Sequence, residues 1–207
     1  MLSEAIGTWV RGKMLVVGRA FARAGITPNM ATLIGLVLNI IVAVILGLGH
    51  PIIAGVLLLF ASAFDMVDGS IARATNTNSK FGGFFDSTID RFSEIVVYVG
   101  LVVWLNRLGD NDWGSVLVLV ACTGALMTSY TRARAEALDY NASVGLLARP
   151  ERVILLAICL IIQQPMWALW ILAIGTNVTA VWRIFHVYQL AKADGEIHSH
   201  KQIRERS

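Results

Sequence analysis

Four aspartates, Asp65, Asp68, Asp86 and Asp90, lie at the inner ends of two apolar segments within the stretch from Phe64 to Glu94. Unpaired charge is costly in hydrocarbon, so something must compensate them. Asp65, Asp68 and Ala72 recur at i, i+3 and i+7, and Gly82, Asp86 and Asp90 at i, i+4 and i+8. Each set therefore lines one face of a helix, and two such faces turned together make a four-carboxylate cup. Oxygen donors with no His or Cys among them suit Mg²⁺ or Mn²⁺ rather than zinc or copper. A pair of divalent ions would cancel the four negative charges. Gly69 and Gly82 remove side chains beside the cup and let a phosphate or a neighbouring backbone approach. Arg73, one turn on, offers a planar fork to a phosphate oxygen.

The elements that must position these residues are those of a membrane protein. The 207-residue chain is 56% hydrophobic, with a mean hydropathy of +0.66, which points to a bilayer rather than a soluble core. The expected fold is an all-α integral membrane protein of six transmembrane helices preceded by an amphipathic interfacial helix. Spans are expected from Asn29 to about Leu48, Ile52 to about Ala74, Gly82 to about Leu105 and Gly114 to about Leu138. A fifth follows Arg149-Pro150-Glu151-Arg152 to about Ile162, and a sixth runs from about Met166 to Leu190. Thr27 or Asn29 can cap the first, with Pro28 acceptable at a helix start.

Residues 1–24 are expected to form the juxtamembrane helix, residues 25–193 the catalytic domain and residues 194–207 a polar cytoplasmic tail. In the first of these, Leu2, Ile6, Trp9, Val10, Val17 and Phe21 cluster opposite Arg11, Arg19 and Arg23, while Lys13, Leu15 and Val16 break the pattern. No removable signal peptide is expected. Cys122 and Cys159 sit in long apolar runs and read as packing residues, and His186, His198 and His200 read as an interfacial residue and a solvated tail.

Apart from Arg107, the basic residues sort to one end of the spans, which the positive-inside rule makes cytoplasmic. Six spans place both termini there, and the carboxylate cup opens there as well. Trp104, Trp113, Trp167 and Trp170 fall near the opposite ends, as an aromatic belt would. The expected location is the cell (inner, cytoplasmic) membrane. A net charge of +3 is modest, and nucleic acid is not an expected partner.

Asp65-x2-Asp68-Gly69-x2-Ala72-Arg73-x8-Gly82-x3-Asp86-x3-Asp90 resembles the complete signature of the CDP-alcohol phosphatidyltransferases. These are integral membrane enzymes that join a lipid phosphatidyl group to an alcohol and release CMP. The resemblance implies two Mg²⁺ or Mn²⁺ ions on Asp65, Asp68, Asp86 and Asp90, with Asp90 also the general base. It implies that Asp68, Gly69, Ala72, Arg73 and Gly82 bind the CDP-lipid, with Asn29 near the nucleotide, and that the enzyme is a homodimer.

The acceptor alcohol is read from residues beyond the signature. Asp86-Ser87-Thr88-Ile89-Asp90-Arg91-Phe92-Ser93-Glu94 looks like the branch that transfers to inositol phosphate, and departs from the Asp-Pro-x-Ala-Asp-Lys of phosphatidylglycerophosphate synthases. Ser129-Tyr130-Thr131-Arg132-Ala133-Arg134-Ala135-Glu136 and Arg149-Pro150-Glu151-Arg152 also resemble the phosphatidylinositol phosphate synthases and their archaeal lipid (archaetidylinositol phosphate) counterparts. The family often has Lys where Arg132 stands. The resemblance implies that Ser129, Arg132, Arg152 and Arg183 hold the phosphate of inositol 1-phosphate, with CDP-diacylglycerol or CDP-archaeol as donor. Arg183, flanked by Trp182, Ile184 and Phe185, is expected to face the interior and to want an anionic partner. Arg134 and Arg149 read equally well as residues that merely follow the positive-inside rule.

Glycerol 3-phosphate would use the same arginines, whereas free inositol would leave them idle. A cation or proton transporter would explain the acids but not the Gly, Ala and Arg at their offsets.

Overall fold

The computed structural model describes residues 14–109 and 112–195, and among them every regular element is helical. Seven helices follow a short N-terminal helical segment of residues 14–23: α1 (Pro28–Gly47), α2 (Pro51–Phe64), α3 (Met66–Thr75), α4 (Lys80–Arg107), α5 (Asp112–Glu136), α6 (Arg149–Ile161) and α7 (Pro165–Ala193). Their starts follow local chemistry. Proline stands in the first turn of α1, α2, α6 and α7, where a missing N–H costs no helical bond. The Thr27 hydroxyl caps α1 by accepting from Met30 N, which releases Asn29 from that role. Ser79 caps α4 through Gly82 N at 2.9 Å, and Asn76 ends α3 in the left-handed region at φ 56°.

Among the described residues, four helical stretches are long and apolar enough to cross a membrane: Pro28–Gly47, Pro51–Thr75, Trp113–Glu136 and Pro165–Ala193. The second joins α2 to α3, because Asp65 keeps helical dihedrals between them and its N–H still bonds to Ala61 O. The two other expected spans depart from this pattern for different reasons. Helix α4 has the length, 28 residues, but carries Asp86, Asp90, Arg91 and Glu94 between its N-terminus and its middle. Helix α6 has only 13 residues, about 20 Å of rise against a hydrocarbon core of about 30 Å.

Helix α1 packs along α4, α5 along α7 and α2 against α6. The α1–α4 contact depends on Gly100: a Cβ there would stand 2.7 Å from Ala43 Cα. Leu46, Leu101, Leu105, Leu160, Leu169 and Leu172 fill the centre of the bundle, while Val37, Ile41, Val44, Leu119 and Val181 face outward. Apolar residues inside and out are what a bundle surrounded by lipid requires. Trp113, Trp167 and Trp170 are exposed, but Trp104 is buried in the core and forms no part of a belt. Cys159 is buried and Cys122 half-buried, and neither forms a disulfide.

Met14, Val17 and Phe21 of the N-terminal segment pack with Ala31, Val67 and Ile71, and Phe21 meets Phe64 edge-on at 5.8 Å. Val16, which breaks the amphipathic pattern, is exposed. The apolar face of residues 14–23 thus braces α3, the helix that carries Asp68. The remainder of the expected amphipathic helix, residues 1–13, and His198 and His200 of the expected tail lie outside the described residues.

Candidate active site

The acids come from two directions. Asp65 stands at the α2–α3 junction and Asp68 in the first turn of α3, while Asp86 and Asp90 sit one turn apart on α4. Asp68, only 8% exposed, accepts a 2.8 Å hydrogen bond from the Thr32 hydroxyl of α1. Asp65 has room because Gly35 faces it: a Cβ at Gly35 would lie 2.7 Å from Oδ1. Asp86 lies within hydrogen-bonding reach of Asp68, and Asp65, Asp68, Asp86 and Asp90 form one electrostatic neighbourhood. The two helix faces do turn toward each other.

A cation already stands between two of the acids. Arg149, at the first position of α6, donates through Nη2 to Asp65 Oδ2 at 2.9 Å and through Nη1 to Asp90 Oδ1 at 2.8 Å. Among the described residues, no three Asp, Glu, His or Cys side chains converge as a finished cation cage. Mutual repulsion keeps carboxylates apart until positive charge enters between them, and here the guanidinium supplies it for Asp65 and Asp90. The residues fit a hard divalent cation in donor chemistry and in their common neighbourhood. Their position around an existing positive group supports the same fit.

Two cavities meet at these acids. The larger, about 410 Å³, is lined by Asn29, Asp68, Gly69, Ala72, Gly82 and Asp86, and by the loop that caps α4. Five of the six residues expected to bind the CDP-lipid therefore share one cavity. The sixth, Arg73, points its Nη2 at Ser70 Oγ, 3.3 Å away, and its guanidinium lies beside Gly69. The second cavity, about 230 Å³, is lined by Asp65, Asp86, Asp90 and Arg149. Asp86 belongs to both, so the acids form the wall between them.

The arginines expected to bind an acceptor phosphate gather on α5, α6 and α7. Arg152, 3% exposed, forks onto Glu94 with Nε–Oε1 at 2.8 Å and Nη2–Oε2 at 3.0 Å, and Nη1 donates to Leu147 O at 3.1 Å. Arg183 is buried as expected, and backbone carbonyls take two of its donors: Nε donates to Val144 O at 2.8 Å and Nη1 to Thr128 O. Carbonyl dipoles satisfy the guanidinium without cancelling its charge, and Arg132 and Arg152 add to the positive field around it. Arg132 lies at the surface, paired with Glu136 at 2.7 Å. The Ser129 hydroxyl donates to Ala125 O at 3.1 Å.

Sequence reasoning passed over three residues of this site: Thr32, Glu94 and the bridging role of Arg149. Glu94 was visible only as the last residue of the Asp-Arg-x-Ser-Glu run. Thr32 carried no signal beyond lying one turn past the helix cap.

Comparison with known proteins identifies the family. The sequence profile of the CDP-alcohol phosphatidyltransferases matches residues 25–182. The chain is 34% identical over 170 residues to the archaetidylinositol phosphate synthase of Pyrococcus horikoshii, covering 82% of this chain and 87% of the other. It is 36% identical over 180 residues to the phosphatidylinositol phosphate synthase of Mycobacteroides abscessus, covering 81% and 80%. Among solved structures, it is similar to the Mycobacterium tuberculosis phosphatidylinositol phosphate synthase with CDP-DAG bound, at a TM-score of 0.79 and 27% identity, covering 84% and 93%. The same enzyme in complex with manganese and citrate also superposes at 0.79, again at 27% identity, covering 84% and 88%.

Proposed function

From the premise that this chain belongs to the CDP-alcohol phosphatidyltransferase family, we propose that it transfers the phosphatidyl group of a CDP-activated lipid to inositol 1-phosphate, releasing CMP. One observation carries the reading: the acids separate a cavity lined by Asn29, Gly69, Ala72 and Gly82 from a second cavity that Asp90 lines. The donor belongs in the first, the acceptor beside the second.

The bare wall at Gly69, Ala72 and Gly82 lets the pyrophosphate of CDP-diacylglycerol or CDP-archaeol come close to the acids, and Arg73 offers its fork from one turn away. Asp65, Asp68, Asp86 and Asp90 would hold two Mg²⁺ or Mn²⁺ ions, which withdraw charge from the phosphoryl oxygens and from departing CMP. Thr32 keeps Asp68 aimed by occupying one of its oxygens. On the other side, Asp90 accepts the proton of an inositol hydroxyl. The oxygen so freed attacks the lipid-linked phosphorus, and the phosphoanhydride bond to CMP breaks. Ser129, Arg132, Arg152 and Arg183 hold the acceptor's own phosphate. A guanidinium has five N–H donors, and Arg152 spends three on Glu94 and Leu147, leaving two for a ligand.

The same reading makes the protein a homodimer of six-span protomers in the cytoplasmic membrane, in contact with its lipids, with both termini and the active site facing the cytoplasm. Its experiment is CMP release from CDP-diacylglycerol by purified protein with Mg²⁺ and each of inositol 1-phosphate, glycerol 3-phosphate and free inositol. Inositol 1-phosphate alone should support turnover. Turnover with glycerol 3-phosphate and none with inositol 1-phosphate would overturn the acceptor assignment.

A further inference from the structure

Arg149 is held by two acids that the proposed chemistry needs for cations. Its guanidinium touches Asp65 at the end of α2 and Asp90 on α4, two elements that nothing else in the chain links by an ion pair among the described residues. The arrangement is incomplete as a resting place, because Arg149 Nε is buried without a hydrogen-bond partner. A buried donor without an acceptor raises the energy of the clamped state relative to one in which the side chain has moved.

The surroundings limit where it can go. On one side lies a cavity of about 30 Å³ bordered by Asn39, Glu94, Tyr98 and Arg152, room for a water or two but not for a guanidinium. On the other is the cavity of about 230 Å³ that Asp65, Asp86 and Asp90 share.

We propose that Arg149 is a tethered counter-ion that competes with divalent cations for Asp65 and Asp90. The guanidinium neutralises these acids while the cup lacks cations, and cation loading releases it toward the larger, acceptor-side cavity. This inference rests on the reading that the four acids bind divalent cations. Arg149 acts through the acids and is thus a positioning residue. Its energetic signature is opposite to that of a ligand: removing it strengthens cation binding.

The test is Mn²⁺ titration of the purified, detergent-solubilised full chain without substrates, following the electron paramagnetic resonance of free Mn²⁺. The loss of two charge-assisted hydrogen bonds to the competing guanidinium should make Arg149→Ala bind Mn²⁺ tighter by on the order of tenfold. Millimolar guanidinium chloride should return the variant toward wild-type affinity while leaving wild type little changed. Arg149→Lys, a point charge that cannot fork across both acids, should bind more tightly than wild type but less than the alanine variant. Should the alanine variant fail to fold by gel filtration, the lysine variant decides alone. Equal or weaker Mn²⁺ binding in the folded variants would overturn the competition while leaving the cation site intact. An absence of Mn²⁺ binding in wild type and variants alike would overturn both.

Discussion

Arg152 and Glu94 form a bidentate ion pair 58 residues apart in sequence, with Nε–Oε1 at 2.8 Å and Nη2–Oε2 at 3.0 Å. Their side chains are only 3% and 9% exposed, so each is the other's principal compensation inside the bundle. Removing one partner leaves a buried charge, which costs about 3–5 kcal/mol. Glu94→Gln keeps the shape and releases the fork; it should raise the KM for inositol 1-phosphate severalfold more than that for CDP-diacylglycerol. Initial-rate measurements with each substrate varied in turn check this, and equal effects on both would remove Glu94 as the residue that aims Arg152.

Thr32 should matter through Asp68. Its hydroxyl donates to that carboxylate across the contact of α1 with α3, at 2.8 Å. A hydrogen bond to a charged group is worth about 1.5–3 kcal/mol. Thr32→Val should therefore lower CMP release and raise the Mg²⁺ concentration needed for half-maximal rate, while Thr32→Ser should restore both. A Thr32→Val protein with an unaltered Mg²⁺ dependence would show that Asp68 is aimed by other groups.

Asp90 is the base in the proposed mechanism. Asp90→Asn should keep the fold, since the amide oxygen can still accept from Arg149, and should lose CMP release by about 10²–10⁴-fold, the range for general-base catalysis. Near-normal turnover in a correctly folded variant would refute the role.

Gly100 predicts stability rather than activity. Because a Cβ there would meet Ala43 Cα at 2.7 Å, Gly100→Val must push α1 and α4 apart. Overpacking of this kind costs about 1–3 kcal/mol. A lowered thermal midpoint in detergent is expected, with CMP release at low temperature falling only as far as α1 and α4 separate.

How far the sequence reached differs from residue to residue. The helical spacing of Asp65 and Asp68, and of Asp86 and Asp90, depends on the repeat of one helix, so the two acidic faces and the oxygen-only donor set were legible without coordinates. The same local rules located the Thr27 cap and proline start of α1 and the break between about Ala74 and Gly82. They misplaced Trp104, which lies near the end of α4 yet is covered by neighbouring helices.

Only the tertiary structure decided who stands opposite whom. Thr32 meets Asp68 across 36 residues, Glu94 meets Arg152 across 58, and Asp65 meets Arg149 across 84. No periodicity connects positions on different helices; their meeting depends on how α1, α2, α4 and α6 cross and how closely glycines let them approach. That is why Arg183 could be read as interior but not as bound to carbonyls, and why Arg149, one basic residue among many at one end of the spans, became the cation between two acids.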